Sequence, residues 1–199
     1  MKVQQKSRVA ILVPGIFDRG KSMHRIKDNL EKAGFRAHYI NLKPNSGWHG
    51  LEPLAQQVHD LVETVTEHGE TCAVVGFSMG GIVARYYLQR LGGTARVHKL
   101  VTISSPHFGS FWARFLPYRG GRQLCIGSDF LNDLNREIAL LEPTAPVSIW
   151  TPYDITVVPH SSSCLPLGRS FRIPVSLHRW VPLNRKVIEL VTTELKTAL

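Results

Sequence analysis

Thr71-Cys72-Ala73-Val74-Val75-Gly76-Phe77-Ser78-Met79-Gly80-Gly81 holds a strand, a sharp turn and the start of a helix within eleven residues. Residues 71–77 are mostly small or branched apolar side chains, as in a strand buried on both faces. The run breaks at Ser78. Helical spacing then holds over residues 80–91, until Gly92-Gly93 stops it. Glycines two before and two after the serine match the G-x-S-x-G pattern. There a strained serine backbone lifts its hydroxyl above the sheet, and strand and helix pass too close for side chains. The serine stands at a helix amino end, where free N–H groups face any developing oxyanion.

Outward from this turn the chain alternates short apolar strands with amphipathic helices. Val9 to Val13, closed by Pro14-Gly15, reads as a first buried strand. Ile26, Leu30 and Ala33 mark one face of a helix that Gly34 stops, and residues 35–42 read as a second strand. Leu54, Val58, Leu61, Val62 and Val65 give another helix, ending near Gly69. Beyond the serine turn, strands are expected at residues 100–104, 147–150 and 171–175, with a short helix at 129–141. A closing helix is expected over 182–195, with Pro182 in its first turn. This alternation predicts an α/β fold with a mostly parallel sheet of about six strands and helices on both faces. Sites in such sheets form at the carboxyl ends of the strands.

The 199 residues suit one domain spanning 1–199, with 107–128 as a small cap or pocket rim. Apolar residues make up 43% and charged residues 20%, a globular composition. The net charge of +9 is spread along the chain, without a lysine-rich tail or nucleic-acid motif, so no nucleic-acid partner is expected. Between Ile155 and Ile188 lie Arg169, Arg172, Arg179, Arg185 and Lys186 with no acid, a bias that suits peripheral contact with anionic membrane. Cys72, Cys125 and Cys164 make no metal or disulfide pattern, and the histidines show no ligand spacing; neither metal nor cofactor is expected. The apolar stretch after the polar residues 1–8 is too short for a signal or spanning segment, so cytoplasmic residence is the expectation.

A serine needs a base, and the base needs an orienting acid. Asp154 follows the strand ending in Ile149-Trp150; no other acid occurs between Glu142 and Glu189. His178 lies after the last expected strand, four residues before the closing helix, and is favoured as base over His160. The expected catalytic set is therefore Ser78, His178 and Asp154. Oxyanion donors are expected from the N–H of Met79 and from the first loop, at Ile16 or alternatively Phe17. Phe17, Trp48, His107, Phe108, Phe111 and Trp112 are the expected substrate-pocket residues, since so many apolar side chains cluster in loops around the serine.

Together these residues resemble the α/β-hydrolase superfamily, specifically the small bacterial triacylglycerol lipases related to the minimal Bacillus lipase. The likeness spans nearly the whole chain. Ala10-Ile11-Leu12-Val13-Pro14-Gly15-Ile16 is similar to the oxyanion strand and loop of that family, with Pro14 where His is usual. Ser78-Met79-Gly80-Gly81 resembles the lipase elbow, and Ser105-Pro106-His107-Phe108-Gly109-Ser110 resembles its G-T-P-H-x-G-S run. Thr151-Pro152-Tyr153-Asp154 matches the acid segment, and Leu177-His178 stands where Gly-His is usual. The resemblance implies a compact α/β-hydrolase with little or no lid. It implies a serine lipase or esterase that cleaves apolar-acyl esters through an acyl-enzyme. Two readings stay open beside it. One is an acyltransferase or thioesterase using the same three residues, since Ser105-Pro106-His107 and Gly127-Ser128-Asp129-Phe130-Leu131 also resemble enzymes that remodel lipid anchors. The other is a non-catalytic lipid-binding protein of the same fold.

Overall fold

The computed structural model describes residues 5–67 and 69–198. Its centre is a six-stranded sheet of β1 (Gln5–Val13), β2 (Arg36–Tyr39), β3 (Glu70–Phe77), β4 (Val97–Ile103), β5 (Val147–Trp150) and β6 (Arg169–Arg172). The strand order is β2-β1-β3-β4-β5-β6, and every pairing is parallel. All carboxyl ends therefore lie along one rim. The helices are α1 (His24–Lys32), α2 (Glu52–Val65), α3 (Met79–Arg90), α4 (Arg119–Gln123), α5 (Asp129–Arg136) and α6 (Arg185–Lys196). No helix among the described residues is long and apolar enough to cross a membrane.

The period of two along β1 sorts the core into two layers. Val9, Ile11 and Val13 point to one face with Leu54, Val58, Ile82 and Leu134, which belong to α2, α3 and α5. Ala10 and Leu12 point to the other, against Ile26 and Leu30 of α1 and Val187, Val191 and Leu195 of α6. Cys72 belongs to the first layer, and burial pushes its thiol up to about 12. Asn184 starts α6 by accepting from the Lys186 N–H at 3.0 Å. Glu194 on α6 pairs with Lys99 of β4 at 3.1 Å and with Arg169 of β6, fastening the last helix to two strands.

Element boundaries depart from the sequence expectation where apolar pattern is weak. The second strand pairs only over Arg36–Tyr39 rather than 35–42. The last is Arg169–Arg172 rather than 171–175. It is an edge strand with exposed side chains, so no apolar run marks it. The helix expected at 129–141 ends at Arg136 and gives way to a 3₁₀ turn, Ile138–Thr144, that carries Pro143. The closing helix starts at Arg185 rather than 182, because residues His178–Leu183 form a separate 3₁₀ turn.

Candidate active site

Ser78 joins β3 to α3 at φ 54°, ψ −125°, a backbone that L side chains rarely adopt. Crowding holds it there. A Cβ at Gly76 would lie 2.5 Å from the Gly81 Cα, and one at Gly80 would overlap the carbonyl oxygens of Val13 and Pro14. The Ser78 N–H donates to the Ile103 carbonyl at 2.8 Å, anchoring the turn to the end of β4.

The loop after β5 brings Asp154 to the same rim. One carboxylate oxygen accepts from the N–H groups of Thr156 and Val157, both at 2.9 Å. The other accepts from His178 Nδ1 at 2.7 Å. Burial opposes ionisation of Asp154, but the His178 hydrogen bond and charge, with the two N–H donors, outweigh it. The carboxyl is held below its usual range. The Phe77 ring packs on the His178 imidazole with centroids 4.9 Å apart, and Nε2 is buried with no hydrogen-bond partner among the described residues. Ser78, Asp154 and His178 are only 7, 6 and 9% exposed.

Ser78 and His178 line one cleft of about 590 Å³ together with Gly15, Ile16, Phe17 and Thr156. Trp180 and Leu183 add apolar lining, and Lys21, Arg179 and Asp18 add charged groups. The Phe17 N–H is committed to the Asn45 carbonyl at 3.0 Å. No carbonyl among the described residues accepts from the N–H of Ile16, or from that of Met79 at the first position of α3. Two unengaged donors thus flank the serine.

The expected pocket is largely displaced. Phe17 lines the cleft, but Trp48, His107, Phe108, Phe111 and Trp112 are not among the residues around it. His107 is wholly buried: its N–H donates to the Ser105 and Ser162 carbonyls and its ring lies 3.1 Å from the Thr102 hydroxyl. Its other ring nitrogen is 3.5 Å from Arg85, itself buried. Burial, then the Arg85 charge, push the His107 pKa well down, so the ring is neutral. Trp48 stacks on Tyr118 instead, with centroids 5.3 Å apart. His160 is exposed and stacks on Trp150 at 5.6 Å. Trp180 and Leu183 escaped the sequence reading because they sit in a 3₁₀ turn without apolar periodicity. Thr151 escaped it too, although its hydroxyl bridges to the segment that leads from β6 to His178: it donates to the Val175 carbonyl at 2.7 Å and accepts from the Val175 N–H at 3.1 Å.

The family model described as palmitoyl protein thioesterase matches residues 10–138, more than half the chain, and includes the Ser78 turn. The chain belongs to the palmitoyl protein thioesterase family. This palmitoyl protein thioesterase relationship is echoed by the lysosomal thioesterase PPT2 homolog of Drosophila melanogaster, which is 28% identical over 110 residues. That alignment covers 53% of this chain and 38% of the fly protein. Lipase B of Aspergillus fumigatus superposes with a TM-score of 0.79 at 17% identity, over 96% of this chain and 52% of that one. The mature lipase BlEst2 of Bacillus licheniformis gives 0.73 at 15% identity, over 94% and 91%. At such identities the two lipases share the fold, and the resemblance to small bacterial lipases holds at that level alone. The palmitoyl protein thioesterase match ends before Asp154 and His178.

Proposed function

We propose that the chain is a serine thioesterase that hydrolyses acyl thioesters with an apolar acyl group, through an acyl-enzyme on Ser78. The observation that carries the reading is the buried Asp154–His178 pair, whose imidazole keeps Nε2 without a partner among the described residues and lines the same cleft as the strained Ser78. Family membership favours a thioester over the oxygen ester.

In this mechanism His178 Nε2 takes the Ser78 proton as Oγ bonds to the thioester carbonyl carbon. Asp154 keeps the Nδ1–H tautomer in place and stabilises the imidazolium. The carbonyl oxygen, now negative, accepts from the N–H groups of Ile16 and Met79; Phe17 is excluded from this role by its bond to Asn45. Loss of one such donor costs about 3 kcal/mol of transition-state stabilisation. As the tetrahedral centre collapses, the C–S bond breaks and His178 returns the proton to the departing thiolate. Water then enters, loses a proton to His178 and attacks the acyl carbon, releasing the acid and restoring Ser78. Apolar Phe17, Phe77, Trp180 and Leu183 suit an acyl chain.

Oxygen esters are the second reading, since the same acyl-enzyme forms from either. The test compares matched thioester and oxygen-ester series of two to sixteen carbons on wild type and S78A. The expected result is faster thioester turnover, rising with chain length and reduced at least about a thousandfold in S78A. Faster oxygen-ester turnover would transfer the assignment to a lipase or esterase. Acyl transfer to an added alcohol in preference to water would make it a transferase. Turnover unaffected by S78A, or none on any substrate, would overturn the catalytic reading in favour of a binding protein.

A further inference from the structure

Apolar exposure is concentrated at one end of this molecule. Among the described residues twelve large apolar side chains are exposed. Ten of them sit in connections that leave the carboxyl ends of the strands. The exceptions are Tyr39, in β2, and Leu140, on the approach to β5. The densest group is a 3₁₀ turn, Phe111–Phe115, where Phe111, Trp112 and Phe115 are 42, 51 and 63% exposed. Their rings touch one another, with centroids 5.3 to 6.0 Å apart, so they form one platform rather than three scattered side chains.

The Arg114 guanidinium lies over the Phe111 ring at 5.2 Å and over the Phe115 ring at 5.8 Å, and no carboxylate among the described residues pairs with it. Residues 71–128 contain seven Arg or Lys and no Asp or Glu. Of these, Arg90, Arg96, Lys99 and Arg119 pair with carboxylates from other elements and Arg85 is buried, which leaves Arg114, in the platform itself, and Arg122 without an ion pair among the described residues. The platform is tied to the catalytic rim. Phe111 N–H donates to the Val158 carbonyl at 2.8 Å, and the Ser110 hydroxyl donates to the Thr156 carbonyl at 2.7 Å. Thr156 in turn borders the cleft and donates its N–H to Asp154.

We propose that the Phe111–Trp112–Phe115 platform, with Arg114, docks this end of the molecule on an anionic lipid bilayer. Aromatic side chains settle at the boundary between headgroups and acyl chains, and an arginine beside them reaches anionic phosphates while its stem stays among the rings. A bilayer fits better than a protein partner because the same rim carries both the apolar exposure and the cleft for an apolar acyl group. The unpaired Arg114 within the platform matches anionic headgroups. The orientation sets the cleft mouth against the surface in which acyl chains reside. In that last respect the inference rests on the acyl-thioester reading; the docking itself does not.

The experiment is sedimentation of the full chain with vesicles of phosphatidylcholine alone, and with about one fifth phosphatidylserine, at low and physiological salt. Wild type is expected to pellet with the anionic vesicles and more weakly with neutral ones. The W112S/F115S double variant should bind at least about tenfold more weakly. R114E should lose most of the preference for anionic vesicles. S78A should pellet like wild type, which separates docking from catalysis. Circular dichroism shows that the variants are folded, and R114E carries the test if the double variant is not. Wild type left in the supernatant with every vesicle, or folded variants that all bind like wild type, would overturn the proposal. So would a wild-type dimer that W112S/F115S converts to monomer without any vesicle binding, since the platform would then belong to a second copy.

Discussion

The Thr151 hydroxyl donates to the Val175 carbonyl and accepts from the Val175 N–H, so one side chain joins the loop bearing Asp154 to the segment bearing His178. Thr151 is 1% exposed. Its removal would orphan two buried backbone groups, at a cost of about 1–3 kcal/mol. It would also free the imidazole from its place over the cleft, and misplacement by about 1 Å is worth up to a hundredfold in rate. T151V is therefore expected to lower kcat about ten- to a hundredfold with little change in KM, and T151S to restore it. Equal loss in both variants, or a change confined to KM, would show that Thr151 does not position the base. The proposed set, Ser78, Asp154 and His178, was picked out in the sequence by local signals: a crowded elbow, a near absence of competing acids and a late loop histidine. The fold joins Asp154 to His178 and lines one cleft with His178 and Ser78. Thr151 was not legible, since its partner lies 24 residues away. His107 misled the reading. A histidine at a strand end can face the pocket or the core, and the Thr102 and Arg85 groups that hold it inside are visible only once the strands are paired.

At the scale of elements, the elbow works because α3 and β1 nearly touch. A methyl at Gly80 would meet the carbonyl oxygens of Val13 and Pro14, which immediately precede the Gly15–Ile16 loop. G80A is expected to destabilise the fold by about 1–3 kcal/mol by overpacking. It should also lower the proposed thioesterase activity disproportionately in the folded fraction, because the displaced loop carries Ile16, a proposed oxyanion donor. Urea unfolding with parallel rate measurements checks both, and wild-type values in each would show the contact to be slack. The inner parts of β1, β3 and β4, residues 9–13, 72–77 and 100–103, could be read from sequence because they are buried and almost wholly apolar. The α4 helix could not, because Arg119-Gly120-Gly121-Arg122-Gln123 has poor helix propensity. Close approach explains those glycines: Gly120 N–H donates to the Gly47 carbonyl at 3.0 Å, and a Cβ on Gly120 would overlap that carbonyl.

For the molecule as a whole, three shifted groups, His107, His38 and Asp154, shape the acid side of stability. The His107 pKa in the folded state lies well below 6.5, so the unfolded chain takes up a proton first as the pH falls. Stability should therefore decline from about pH 6.5 downward. His38 is shifted the same way, by burial and then by Arg36, and adds to this window. Asp154 is lowered from 3.8. Its contribution is complete above that value and disappears as the pH falls through the lower folded pKa. Melting temperature measured from pH 7 to 3 should thus fall in two stages. H107N should flatten the first and D154N the second. An unchanged profile in H107N would show that the buried imidazole is not the group responsible.

The sheet order carries a consequence for synthesis. From β3 onward the strands are added in chain order, each beside the one before it, so an emerging polypeptide can lay every new strand on an edge already finished. The nucleophilic elbow is complete as soon as β4 has been translated and paired. The histidine arrives later, on the loop beyond the outermost strand, and the helix that fastens this edge through Glu194 comes after that. Until that loop has been translated Ser78 lacks the histidine proposed to activate it, so the proposed chemistry is armed at the outer edge of the sheet well after the elbow has been built.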